Sequence, residues 1–268
     1  MADRHRLQPD QRIDLHKAET RADDFCSDRT AAEAEFETLR SRMIELQARL
    51  YAEGRHSLLV ILQALDAGGK DGTIRKVFRG VNPQGVHVAS FKGPTPRELA
   101  HDFLWRIHRQ TPAAGTIGVF NRSHYEDVLI VRVDNLVPEK VWRPRYRQIN
   151  QFEKLLVDNG TTILKFYLHI SRKEQRKRFQ ARLDDPSKHW KFSREDIDKR
   201  AQWDDYLAAY QEMLIRCTTG WAPWHVIPAD QKWYRNLAIA RTIVAALEQM
   251  NPQYPTNDDD YSDVVIPK

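Results

Sequence analysis

Apolar positions along the chain follow two patterns. Between residues 31 and 53, Phe36, Leu39, Met43, Leu46 and Leu50 recur at spacings of three and four. That is one stripe of a 3.6-residue helix, and Gly54 follows as a stop. The next run, SLLVILQA at 57–64, is short, almost wholly apolar and ends at a glycine-rich turn, the pattern of a strand buried on both faces. A helix is predicted after that turn, from about Thr73 to Gly80. Runs of the same kind recur at 86–90, 116–120, 162–170 and 224–229, separated by helix-like sequence. This alternation predicts an α/β fold with a mainly parallel sheet and helices on both faces.

The later half carries helix-start signals. Ser171 with Glu174 three residues on reads as a capping box, and DDP at 184–186 ends the segment it opens. Ser193 with Asp196 reads as the cap of a second, long helix running to Cys217. A helix, a break and a second helix between two core strands is where a mobile lid is expected, because such an insertion hinges without disturbing the sheet. Two static helices packed on the sheet are the alternative.

Composition narrows the class. A chain of 268 residues suits one large α/β domain with an appendage: a single domain over 1–268, with an N-terminal helical arm at 1–55 and a lid insertion at about 171–200. No apolar stretch approaches the ~20 residues of a membrane helix, and the polar start MADRHRLQPDQR has no signal core. Cys26 and Cys217 stand far apart, so a disulfide framework is not expected and a reducing cytoplasm is. The histidines show no metal spacing, and zinc is not expected. Trp221, Trp224, Trp233 and Tyr234 are assigned to the core in preference to stacking on a base. The net charge of +5 says less than its distribution. Residues 172–182, RKEQRKRFQAR, set six cations against one Glu, while the C-terminal run at 257–268 is acidic and expected to fray. A cationic segment of this kind faces a polyanion or is simply a solvated helix face.

The turn after the first apolar run is LDAGGKDGT, residues 65–73. A glycine-rich turn joining a strand to a helix aims consecutive backbone N–H groups at phosphate oxygens, while a lysine reaches the transferring group. Ala67, Gly68, Gly69, Lys70, Asp71, Gly72 and Thr73 are therefore candidate phosphate-binding residues, against the bland alternative of a tight turn with a surface lysine. Two features depart from the usual P-loop pattern: Ala64 stands at the first glycine position, and Asp71 replaces the Ser or Thr that would bind Mg²⁺. A magnesium ion then needs another oxygen, and Asp66 at the strand end is the best candidate. The third apolar run ends in Asn121 and Arg122, a neutral amide and a possible bidentate phosphate clamp. Glu126 and Asp127 follow as candidate ligands for a metal or nucleotide, or as acids at a helix start. Arg75, Lys76 and Arg79 after the loop, and Arg176, Lys177 and Arg182 in the basic run, offer a track for a phosphate chain.

Five segments in order, LDAGGKDGTI, FKGPTPREL (91–99), GVFNRSHYEDVLIVRV (118–133), DDPSKHWKFS (184–193) and IPADQKWYRNLA (227–238), resemble the polyphosphate kinase 2 family. NRSHYEDV resembles its class III branch, where other branches typically show Asp-Arg. The resemblance runs from about residue 30 to about residue 256. It implies a P-loop α/β/α sandwich similar to thymidylate kinase, with a helical lid. It implies reversible transfer of the terminal phosphoryl group of inorganic polyphosphate to AMP and ADP, with Mg²⁺ or Mn²⁺ as cofactor, and a homo-oligomer. Family roles carry over to Asp66, Lys70, Asn121, Arg122 and Arg178 as catalytic residues, with Asn121, Arg122, Glu126 and Asp127 toward the nucleotide and Lys92 toward phosphate. Asp66, Glu126 and Asp127 are the metal candidates. The acceptor oxygen is already anionic at neutral pH, so positioning and charge neutralisation suffice without a strong base. The alternatives are an ATP-dependent nucleoside monophosphate kinase and a basic nucleic-acid-binding protein. The second gains nothing from the loop and lacks an aromatic base-stacking motif, so no nucleic-acid partner is expected.

Overall fold

In the computed structural model of the protein, which describes residues 4–256 and 264–267, the first apolar run forms β1 (Ser57–Gln63), buried at every position. Its side chains alternate between two cores. Leu59 and Ile61 face one, while Leu58, Val60 and Leu62 face the other, which is the period-2 geometry of a strand covered on both sides. The other predicted strands form at β2 (Val86–Ser90), β3 (Ile117–Asn121), β4 (Thr161–His169) and β5 (Trp224–Pro228), within about a residue of their expected ends. All pair in parallel, in the order β2-β3-β1-β4-β5. The chain lays β2 and β3 on one side of β1 before crossing to β4 and β5 on the other. A crevice therefore opens beyond the carboxyl end of β1, where ligands of such sheets bind.

Helices cover both faces. α1 (Arg29–Glu53), α2 (Lys70–Val77) and α7 (Lys232–Met250) lie on the face of Leu58 and Val60, and α3 (Arg145–Asp158) and α6 (Trp203–Cys217) lie on that of Leu59 and Ile61. α4 (Arg172–Leu183) and α5 (Glu195–Ala201) fill the expected insertion between β4 and β5. Asp28 caps α1 by accepting from the Ala31 N–H, and Gly54 ends it in a left-handed turn. Ser171 caps α4 through the Glu174 N–H at 3.0 Å.

Four expectations are corrected. α2 begins at Lys70 and ends at Val77, three residues ahead of the predicted helix, because Gly69 at φ 103° turns the chain directly into it. The long helix expected to 217 is two, α5 and α6, meeting at Gln202. The arm is helical only from Arg29. Residues 5–7 instead pair with the β5 edge, where the Leu7 N–H donates to the Trp224 carbonyl and the Val226 N–H to that of His5, both at 2.9 Å. Such pairing shields an edge that would otherwise present unpaired backbone groups. The aromatic residues assigned to the core do not all reach it: Trp224 packs in one core and Tyr234 in the other, while Trp221 remains 42% exposed. The first seven residues of the acidic C-terminal run, 257–263, lie outside the described residues.

A charged network sits under β3. Lys165 Nζ on β4 donates to Glu153 Oε2 at 2.6 Å, to Tyr125 Oη at 2.9 Å and to the Cys217 carbonyl at 2.7 Å. Glu153 Oε1 also accepts from Tyr125 Oη at 2.7 Å and pairs with His124 Nε2 at 3.2 Å. Both charges are wholly buried, and Lys165 holds the Glu153 carboxyl below its ordinary range despite the opposing effect of burial. Removing one partner strands the other in low dielectric. Lys165→Met should therefore cost about 3–5 kcal/mol in urea denaturation, and adding Glu153→Gln should return a large part of it. A double variant no more stable than the single one would show that the pair is not the source of the cost.

Candidate active site

The turn predicted to hold phosphate lies in the crevice beyond β1. Gln63 at the strand end donates to Ser123 Oγ at 3.2 Å and ties β1 to the segment after β3. Ala67 and Gly69 have φ of 60° and 103°, conformations that favour glycine and cost an L-residue of order 1–3 kcal/mol. Lys70 folds back into the turn. Its Nζ donates to the Ala64 carbonyl at 2.8 Å, closing the loop on itself. Burial, helped by the Arg122 charge, pushes its pKa down to about 8 although Asp66, Glu126 and Asp71 pull the other way.

Arg122 is held at φ 63°, with its N–H donating to the Leu62 carbonyl at 3.1 Å. That bend sends its guanidinium toward the loop, where Nη2 donates to Asp66 Oδ1 at 2.9 Å and Nη1 lies 4.0 Å from Glu126 Oε2. Asp66, Arg122 and Glu126 line one cavity of about 30 Å³. Its far wall comes from α5 and α6, with Asp196, Lys199, Arg200, Trp203, Tyr206 and Tyr210. The space is a few waters at most, so α5 and the start of α6 close the crevice over Asp66. Behind the loop, Arg178 of α4 donates from Nη1 to the Ala67 and Gly68 carbonyls, both at 3.0 Å, and from Nη2 to the Ala229 carbonyl at 2.5 Å. Gln175 donates to the Asp66 carbonyl at 2.9 Å.

The loop's carbonyls are thus held from outside, and lysine and arginine converge inside it. The model of the polyphosphate kinase 2 family matches residues 26–255. The chain belongs to the polyphosphate kinase 2 family. It is 52% identical over 98% of its length to an AMP/ADP-polyphosphate phosphotransferase of Meiothermus ruber, covering 99% of that protein. It is 46% identical over 91% of its length to an ADP-polyphosphate phosphotransferase of Rhodopseudomonas palustris, covering 89% of it. A crystal structure of polyphosphate kinase 2 from Arthrobacter aurescens TC1 superposes with a TM-score of 0.91 at 44% identity, covering 96% of this chain and 92% of that one. The relative named for both AMP and ADP supports the class III resemblance.

Within this polyphosphate kinase 2 chain, several expected site residues turn elsewhere. Asp71 accepts from Asn121 Nδ2 at 2.8 Å and pairs with Lys191 at 3.4 Å. Its side chain thus braces the loop against β3 and residues 186–191. The Thr73 hydroxyl is turned into α2, donating to the Gly69 carbonyl at 3.1 Å. Asp127 Oδ1 accepts from Arg145 at 3.1 Å and Arg106 lies 3.9 Å from its other oxygen. Asp127 does not line the cavity, and burial raises its pKa to about 6 against those two cations. Arg182 is drawn to the Lys191 carbonyl and Asp196. Arg75, Lys76 and Arg79 are exposed on and just after α2, Arg176 and Lys177 on α4, and Lys92 after β2.

Among the described residues no group of three or more His, Cys, Asp or Glu converges as a metal cage. Asp66, 23% exposed, and Glu126 on the same wall suit a hard cation that completes its octahedron with water and substrate phosphate. Sequence reasoning missed Gln175, Trp203, Tyr206, Tyr210 and Arg235. Gln175 and Arg235 lie inside the 172–182 and 227–238 segments without standing out there, the three aromatic residues carry no motif, and only the packing of α4, α6 and α7 brings them to the site.

The Lys70 proton has a direct consequence for stability. The folded protein releases it near pH 8, whereas the unfolded chain keeps it to about 10.5. Between those values the unfolded state binds more protons, so the Lys70 contribution to stability rises with pH. The unfolding free energy of the wild type relative to Lys70→Met should therefore grow from about pH 8 to about pH 10 in urea titrations. A difference that stays flat would mean that Lys70 is not held in a desolvated site.

Proposed function

We propose that this protein is a class III polyphosphate kinase 2, which moves the terminal phosphoryl group of inorganic polyphosphate to AMP and then to ADP. The observation that carries the reading is the Asp66–Arg122 ion pair at the mouth of a loop that already encloses Lys70. The donor chain lies along the N–H groups of residues 69–72, with Lys70 transferring its hydrogen bond from the Ala64 carbonyl to a phosphate oxygen. An anion beside its ammonium favours the charged form, so the bound lysine carries a full charge. The acceptor phosphate occupies the crevice at Arg122, whose planar fork orients it in line with the donor.

An acceptor oxygen forms the new bond to phosphorus as the bridging P–O bond breaks, leaving a polyphosphate one unit shorter. The attacking oxygen is already anionic, so Asp66 serves metal binding and orientation, not proton abstraction. Asp66, with Glu126 nearby, would hold Mg²⁺, which would supply charge neutralisation when bound; Mn²⁺ would suit the same oxygen set. The insertion at about 171–200 acts as the lid, because the cavity it helps to close is too small for a nucleotide until it opens. The exposed cations of α4 follow the outgoing chain. We place the enzyme in the cytoplasm as a homo-oligomer, in keeping with its two free cysteines and with the family resemblance. Among the described residues no helix is long and apolar enough to cross a membrane.

Incubation with AMP, polyphosphate and Mg²⁺, followed by nucleotide chromatography, should yield ADP and then ATP. ADP alone would remove the class III assignment, and no product would remove the activity. Turnover should fall steeply with ionic strength, since recognition of a phosphate chain rests on Lys and Arg.

A further inference from the structure

Arg235 stands in the first turn of α7 with 2% of its surface exposed. Its guanidinium is packed on the phosphate loop: a Cβ at Gly69 would overlap Nη1, and one at Gly72 would sit 3.7 Å from Nη2. Nε and Nη2 both donate to Asn236 Oδ1, at 3.2 and 2.9 Å, a neutral acceptor. No carboxylate lies within ion-pair distance of it among the described residues. The acids nearby are engaged elsewhere. Glu174 accepts from Arg178 Nε at 2.8 Å, and Asp230 accepts from the Ser171 N–H and the Thr20 hydroxyl. Its charged neighbours are cations, Arg178 and Lys232, and burial together with Arg178 holds its pKa down to about 9.

A buried guanidinium without a counter-ion is costly to the folded protein. The cost has a use where the counter-ion arrives with a ligand. We infer that Arg235 supplies a fixed positive charge behind residues 67–72, and that its counter-ion is the phosphate group bound in that loop. This inference rests on the donor-site reading above. Arg235 acts across Gly69 and is a positioning residue: Gly69 has no side chain to hold the guanidinium away, and the low dielectric between them leaves the attraction largely unscreened. Loop occupancy and protein stability are thereby coupled, because bound phosphate relieves the unpaired charge.

The test is thermal denaturation of wild type, Arg235→Met and Arg235→Lys, with and without tripolyphosphate, together with steady-state kinetics. Without anion, Arg235→Met should melt at or above the wild-type temperature, while its gain on adding tripolyphosphate falls to a small fraction of the wild-type gain. Its KM for polyphosphate should rise roughly ten-fold or more with the KM for AMP unchanged, and Arg235→Lys should keep most of the gain. A Met variant that fails to fold, melts well below wild type without anion, or keeps the full gain overturns the inference by showing a structural role. A wild type that gains nothing from tripolyphosphate removes the donor-site reading itself, and the inference with it.

Discussion

The site depends on a loop that is closed by its own lysine. Lys70 Nζ reaches back to the Ala64 carbonyl across a turn held by two left-handed residues, Ala67 and Gly69. The Asp66, Ala67 and Gly68 carbonyls face outward, where Gln175 takes the first at 2.9 Å and Arg178 the other two at 3.0 Å. With the carbonyls engaged, the groups left to face a ligand are N–H donors and cations. The same arrangement sets the electrostatic balance, since Lys70, Arg122, Arg178 and Arg235 surround a short segment with few acids free to answer them.

Rigidity on the far side keeps Arg122 in place. The residue takes its left-handed bend immediately before Ser123, His124 and Tyr125, and Tyr125 is bonded into the Lys165–Glu153 pair beneath the sheet. A buried ion pair is a weak source of net stability. Here its partners reach β4, α3 and the end of α6 at once, so it fixes where the segment after β3 emerges. The cationic side chains above are then presented by a frame anchored in the sheet and in the helices packed on it.

Much of the fold was legible because burial on both faces leaves a strong mark. β1 reads as a nearly unbroken apolar run and β4 as one interrupted chiefly by the wholly buried Lys165. Helix boundaries were less legible: α2 starts where Gly69 adopts a left-handed turn, and glycine permits that conformation without requiring it. The N-terminal segment was misread because Leu7, Leu15 and Ala22 are buried singly, with no periodicity to betray a strap along β5. The loop chemistry was legible from Gly68, Gly69 and Lys70 in their strand-to-helix setting. Asp71 and Thr73, next to them, share the motif, but their side chains bond to Asn121, Lys191 and the Gly69 carbonyl, because the direction of a side chain is decided by what it meets.

The sequence by itself determined the sheet, the loop and the family, since each is written in residues adjacent along the chain and rests on local backbone geometry. Only the tertiary structure decided which charges are paired and which are not. Asp127 goes to Arg145, Asp66 goes to Arg122, and Arg235 meets a glycine. Those pairings join residues up to 166 positions apart, from Gly69 to Arg235, and their energies depend on burial, which no single stretch of sequence contains.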